Sequence, residues 1–343
     1  MDKKKCTEDW LYQLGQILFY IGLVLELLIV IADKSAYINP WEGQLFRITF
    51  LLFLGKICLT RYSFREWLWI LFFLIIAGTC YLFSGRDEAV RLVVFCASFK
   101  NVDLRKSLQL AFFVTLSGCL LLAAGLILFL PTDSRTGVLI LIFTLAFSLF
   151  LTYGRKARDS KWLYIAGILL FFGCVGLSIW IACYEPYEGP FYPYDRFFTG
   201  RITSMNTLEG GGGILRNWRL FSRPENIKYF DMGYVRLFYW YGIIPGALYV
   251  LLYAMLMWQC YKKKNYMGFM MVLSFALYTM LEAHFISVYL GRNYALFLLG
   301  AYWSDMLCFR KPPAEGMQDI QEEYWWQSWR FLGRKETSGE PGC

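Results

Sequence analysis

The chain has 343 residues, 57% of them hydrophobic and 17% charged, with a formal net charge of +8. A soluble domain of this length carries more charge and shorter apolar runs, so composition excludes an ordinary water-soluble globule. The positive charge is spread over short segments between apolar runs, which argues nothing for nucleic acid as a partner.

The expected architecture is all-α, a polytopic helical membrane protein of about ten transmembrane helices with one large outer loop. In chain order the spans read 14–32, 44–60, 66–83, 88–100, 107–130, 137–154, 162–183, 236–261, 266–285 and 293–309. Three stretches, 108–130, 137–154 and 162–183, hold no charged residue and suit a bilayer crossing. The first run follows Lys3, Lys4 and Lys5, has no small-residue cleavage site and is expected to be retained as a span. The second carries Arg47 and Lys56 near its ends, where long basic side chains can snorkel. The fourth is short for a span. Cysteines such as Cys58, Cys80, Cys96, Cys119, Cys174, Cys260 and Cys308 lie in apolar runs without a C-x-x-C, as buried free thiols do.

With the amino terminus inside, the basic clusters Lys3–Lys5, Arg61/Arg65, Lys100/Arg105/Lys106, Arg155/Lys156/Arg158/Lys161, Lys262–Lys264 and Arg310/Lys311 all fall on the cytoplasmic side. Removing one weak span would reverse that pattern, so all ten are kept. The division is a seven-span bundle (1–183), an extracytoplasmic loop (184–235), a three-span bundle (236–309) and a cytoplasmic tail (310–343). The tail includes Glu322, Glu323, Tyr324, Trp325, Trp326 and Trp329, compatible with a short interfacial helix or with a disordered end.

The outer loop is where the sequence departs from plain membrane statistics. Arg196, Arg201, Arg216, Arg219 and Arg223, with Arg236 at its end and Arg135 on the same side, lie where basic residues are scarce. Singly, each pairs with a lipid headgroup or with Asp195, Glu209, Glu225 or Asp231. As a set they suit an anionic substrate, because a guanidinium fork binds pyrophosphate bidentately and keeps its proton. The glycines at 210–213 offer backbone N–H groups to an anion or a flexible hinge. Glu282 and the chain's single histidine, His284, at the outer end of the ninth span, are candidate general bases for a hydroxyl. Their structural alternative is an ion pair of Glu282 with Arg292 and an interfacial histidine. Asp231 is a further candidate base or a helix N-cap. Pro245 is expected to kink the eighth span. Tyr184, Tyr187, Phe191, Tyr192, Tyr194, Phe197 and Phe198 suit an interfacial belt or sugar stacking. No D-x-D or acidic-histidine cluster lies outside, so neither a metal nor another cofactor is expected.

These residues fall in an ordered series that resembles the Wzy-type polysaccharide polymerases of the O-antigen polymerase and ligase superfamily. Thr132-Asp133-Ser134-Arg135-Thr136-Gly137 resembles T-x-S-R-T. Arg196 to Gly200-Arg201-Ile202 resembles the l-x-G-R-i opening of the large loop. Leu220-Phe221-Ser222 stands where L-F-G is usual. Phe230-Asp231-Met232-Gly233-Tyr234 and Tyr241-Gly242-Ile243-Ile244 resemble D-N-x-Y followed by a-y-G-i-i. Leu277-Tyr278 to Glu282, then Arg292-Asn293-Tyr294, resemble the closing E…N pattern, and Lys100-Asn101 is also typical. The resemblance covers roughly residues 10–309. It implies a metal-independent glycosyltransferase of the plasma (inner) membrane, both termini cytoplasmic, that joins repeat units from a polyprenyl-pyrophosphate-linked oligosaccharide on the outer face.

Carried onto this chain, the resemblance makes Glu282, His284 and Asp231 the catalytic candidates. Arg135, Arg196, Arg201, Arg216, Arg219, Arg236, Tyr234, Arg292 and Asn293 become the candidates for pyrophosphate and glycan. Membrane lipid, a flippase and a chain-length regulator are the implied partners. Met232-Gly233 replaces the usual Asn-Ser/Thr, Ser222 replaces Gly, and a pair of spans usual before the T-x-S-R-T motif is missing. Losing two spans preserves sidedness. The rival classes are a transporter or flippase of an anionic lipid, a membrane acyltransferase and a non-catalytic partner in polysaccharide assembly. A transporter wants paired ionisable residues within the membrane, where only Glu26 and Asp305 come near and neither has an evident partner.

Overall fold

The computed structural model describes residues 3–34, 40–126, 142–147, 149–150, 153–154, 158–184, 189–195, 200–207, 214–283, 287 and 289–308. Among these the regular elements are helices. They are α1 (Lys3–Lys34), α2 (Glu42–Leu59), α3 (Phe64–Ser84), α4 (Glu88–Ser98), α5 (Leu104–Leu126), α6 (Lys161–Ala182), α7 (Arg201–Thr207), α8 (Gly233–Tyr241), α9 (Ile243–Lys262), α10 (Tyr266–Thr279) and α11 (Ala295–Leu307). Short 3₁₀ turns at Tyr192–Tyr194, Ile214–Asn217 and Leu290–Arg292 link them.

Four helical stretches are long and apolar enough to cross a membrane: Trp10–Asp33, Phe64–Ser84, Lys161–Ala182 and Ile243–Lys262. Tyr266–Thr279 and Ala295–Leu307 are apolar but shorter. The expected fourth span is an eleven-residue helix, roughly 16 Å long at 1.5 Å per residue, about half the hydrocarbon thickness. Of the expected sixth span, residues 142–147, 149–150 and 153–154 are described, and the expected tail lies outside the described residues.

The eighth span is two helices, not one kinked at Pro245. Gly242, at φ 99°, separates α8 from α9 in a conformation that costs glycine little. Pro245 is the third residue of α9, where its missing N–H has no intrahelical acceptor to lose. The freed amides at the start of α9 are taken up by the preceding loop. Ile243 N donates to Arg219 O at 2.8 Å and Ile244 N to Leu220 O at 3.1 Å, while Ser222 N donates to Tyr241 O at 3.3 Å. A Cβ at residue 242 would lie 2.6 Å from both Leu220 O and Phe221 Cα. The Leu220-Phe221-Ser222 segment therefore closes a helix break.

The core is aromatic. Phe19 (α1), Phe53 (α2), Phe95 (α4), Phe99 just after α4 and Phe297 (α11) meet at centroid distances of 4.7–5.8 Å, mostly edge to face. Glycines admit the large rings where backbones approach. A Cβ at Gly300 would lie 2.7 Å from the Phe99 ring, and one at Gly167 2.4 Å from that of Phe269. Leu51, Leu68, Leu71, Ile75, Leu82, Leu169 and Leu251 face outward, well exposed. Helices apolar inside and out suit lipid as solvent, where close packing supplies the association.

The helix ends sort into two polar rims. At one, Lys100 Nζ is 2.6 Å from Glu66, which closes the capping box of α3 with Ser63, and Lys263 is 2.9 Å from Asp305. Tyr12 and Gln16 donate to Asn101 O there. At the other, Asp33 takes bonds from Arg292 (3.0 Å) and Tyr289 (2.6 Å).

Candidate functional site

The second rim assembles residues from three separate motifs. Arg201 is the first residue of α7. Asp195 holds that helix by accepting from Ile202 N at 2.8 Å, Thr203 N at 3.2 Å and the Thr203 hydroxyl, while Gly200 N donates to Asp195 O. Asp195 is thus engaged by the backbone that aims Arg201, and among the described residues it pairs with no loop guanidinium. Arg201 Nε donates to Asp231 at 3.3 Å and Nη2 to Glu282. Its Nη1 is buried and has no hydrogen-bond partner among the described residues.

Gly233 explains how Asp231 and Glu282 become neighbours. A Cβ there would lie 2.5 Å from Thr279 O and 3.0 Å from Ala283 Cα. Without one, the start of α8 presses against the end of α10. Met232 occupies the N-cap of α8, with no side-chain cap bond, so Asp231 is not the helix cap. α10 stops at Thr279 and Glu282 stands in the following turn, its N–H on Tyr278 O at 2.8 Å, so the ninth span is shorter than expected. Glu282 pairs with Arg201, whereas Arg292 pairs with Asp33. Arg201 is 14% exposed, Asp231 36% and Glu282 26%, so an incoming molecule meets the acids before the arginine. The Tyr278 phenol lies within electrostatic reach of Arg201, Asp231, Glu282 and Arg292.

Other candidates are placed elsewhere. Tyr234 is 1% exposed and donates to Ala276 O at 2.7 Å, which ties α8 to α10. Asn293 donates to Tyr253 Oη at 2.9 Å and accepts from Ala295 N at 3.2 Å, fixing the start of α11. Arg216 and Arg219 are exposed on the loop, Arg219 donating to Trp218 O. Arg236 is buried against the rings of Tyr229 and Trp240, its guanidinium carbon 4.2 and 4.5 Å from their centres. Arg135, Arg196 and His284 lie outside the described residues.

Two further features were not legible as a site. Glu26, 1% exposed, accepts from Arg91 at 3.2 Å and Thr49 at 2.7 Å, so it has the partner that the sequence did not reveal. A mostly apolar cleft of about 790 Å³, its open mouth included, runs between α3, α4, α8, α9 and α11. Glu88, Tyr241, Ser287 and Asn293 supply polar groups to its lining. Among the described residues no three His, Cys, Asp or Glu side chains are grouped to hold a metal ion. No family model, curated protein or solved structure matches this chain.

Proposed function

We propose that the chain is a membrane polysaccharide polymerase, transferring a growing glycan from polyprenyl pyrophosphate to the hydroxyl of a second lipid-linked repeat unit. One observation carries the reading: Arg201, Asp231 and Glu282, 30 and 81 residues apart from Arg201, form a single ion-paired cluster at one rim of an apolar bundle. Glu282 takes the hydroxyl proton as the bond between the anomeric carbon and the phosphate oxygen breaks. Arg201 holds that carboxylate in place. Buried arginines nearby bear the charge that builds on the departing pyrophosphate. In this reading the rim faces the extracytoplasmic side, with the basic clusters at the opposite helix ends in its support.

The test is chain extension by the purified protein in liposomes with a lipid-linked oligosaccharide. Glu282→Gln is expected to lower extension by roughly 10²–10⁴-fold, the usual worth of a general base, with donor binding retained. His284→Gln is expected only to weaken it. Normal extension by the Glu282 variant would remove the base assignment. No extension by the parent protein with any lipid-linked donor would remove the function.

The buried Glu26–Arg91 pair favours a second reading, transport of an anionic lipid, because paired charges within a membrane bundle are common on transport paths. Headgroup translocation by the parent, lost in Glu26→Gln and unchanged in Glu282→Gln, would select it over the polymerase.

A further inference from the structure

The apolar cleft between α3, α4, α8, α9 and α11 is separate from the Arg201 cluster, since none of Arg201, Asp231 and Glu282 lines it. Its walls follow the helices: Ala89 and Val93 recur one turn apart on α4, Leu248 and Leu252 on α9. From Leu296 to Trp303 it runs along two turns of α11, about 11 Å, enough for an alkyl chain of medium length.

Glu88, the first residue of α4, breaks this hydrocarbon lining. Its side chain is 11% exposed, and its Oε2 is buried and has no hydrogen-bond partner among the described residues. The neighbouring cations do not satisfy it. Arg86 stands 3.9 Å from Oε1, too far for a hydrogen bond, and is engaged by Asn226 O at 3.1 Å and by the Trp240 ring. Arg91 is bonded to Glu26. An acid in a first turn suits the helix dipole, but that does not supply the donor that a buried carboxylate oxygen lacks. An ionised carboxylate only accepts, so the missing partner is a donor.

The polar groups on α9 and before α11 are already fixed. Asn293 donates to Tyr253 Oη at 2.9 Å and accepts from Ala295 N at 3.2 Å, while Tyr249 Oη, 3.2 Å from Tyr253 Oη, completes the network. Asn293 and Tyr249 both line the cleft, which therefore joins one unmet acceptor to a preformed apolar groove.

We infer that this cleft binds a non-anionic amphiphile, its hydroxyl or ammonium head donating to Glu88 and its alkyl chain lying along α9 and α11 toward Trp303. A phosphate or carboxylate head meets a like charge at Glu88, so the ligand is not the anionic donor lipid. The site goes beyond the polymerase reading and does not depend on it.

The test offers the ω-bromo derivatives of decanol, decylamine and decanoate to the full chain in lipid nanodiscs. Bromine quenches indole fluorescence on contact, so a chain that reaches Trp303 gives saturable quenching above the linear background of partition into lipid. The alcohol and the amine are expected to bind roughly tenfold more tightly than the carboxylate. Trp303→Phe is expected to lose the saturable component, and Ala89→Phe, which fills the cleft, to abolish it. Glu88→Leu is expected to weaken both donors by roughly tenfold. Melting without probe checks that each variant folds. If Glu88→Leu does not fold, Glu88→Gln carries the test: its amide oxygen still accepts from a hydroxyl but offers no charge to an ammonium, so the amine alone loses roughly tenfold. Saturable quenching that persists in Trp303→Phe or Ala89→Phe, parent-like binding of the amine in the folded Glu88 variant, carboxylate binding as tight as that of the alcohol, or no saturable quenching by any probe overturns the inference. None of these outcomes bears on chain extension, which is read separately through Glu282→Gln.

Discussion

Glu26 and Arg91 are a pair whose removal one side at a time differs sharply from removal together. Both are nearly fully buried, and Glu26 Oε2 and Arg91 Nε have no hydrogen-bond partner among the described residues. Glu26→Leu leaves Arg91 uncompensated and is expected to cost about 3–5 kcal/mol, the usual price of breaking a buried pair. Glu26→Leu with Arg91→Leu is expected to recover most of that loss. Thermal melting of the single and double variants in detergent checks it, and a double variant no more stable than the single would mean that the charges contribute net stability. Glu282 and Arg201 were visible in the sequence because charged residues at a membrane rim stand out against apolar runs. Gly233 was not: its importance comes from Thr279 and Ala283, about fifty residues away, which leave no room for a Cβ. Asp195 was read as an arginine partner because charge alone does not tell a side-chain pair from a helix-capping carboxylate.

At the scale of elements, the joint between α8 and α9 is the clearest departure from a reading by hydropathy. Residues 237–261 hold no charged residue, and a bilayer-length helix is the simplest account of them. Gly242 instead sets α9 off from α8, and carbonyls of the 219–222 loop cap the new helix start. Gly242→Ala forces a side chain into the left-handed region and against Leu220 O, so it is expected to destabilise by about 2–4 kcal/mol. The same change should loosen the loop, seen as faster hydrogen exchange at residues 219–222. Unchanged melting and exchange would mean that the break is not held by this contact. Pro245 drew attention as the helix breaker, yet proline is well tolerated in a first turn. Glycine, silent in a hydropathy profile, made the break.

At the scale of the molecule, loops far apart in sequence meet in two sets, one around Asp33, Arg201, Asp231, Glu282 and Arg292, the other around Glu66, Lys100, Asn101, Lys263 and Asp305. In the proposed reading the basic clusters put the second set on the cytoplasmic side. In a cysteine-free background, a cysteine at Ser204 in α7 is therefore expected to label with an impermeant thiol reagent in intact cells. One at Ser160, before α6, should label only after permeabilisation. The opposite pattern would turn the site inward and remove the extracytoplasmic reaction.

Composition alone marked the chain as one with several helices long and apolar enough to cross a membrane, because runs of apolar residues this long have few stable settings in water. The all-helical class follows from the same physics, since a backbone in hydrocarbon must satisfy its own hydrogen bonds. The tertiary structure decided the partners. Arg201 has two carboxylates, Glu26 has Arg91, and Arg236 has no carboxylate among the described residues. A guanidinium looks alike in sequence whether matched or unmatched, because its electrostatic worth depends on distance and burial, and both are properties of packing.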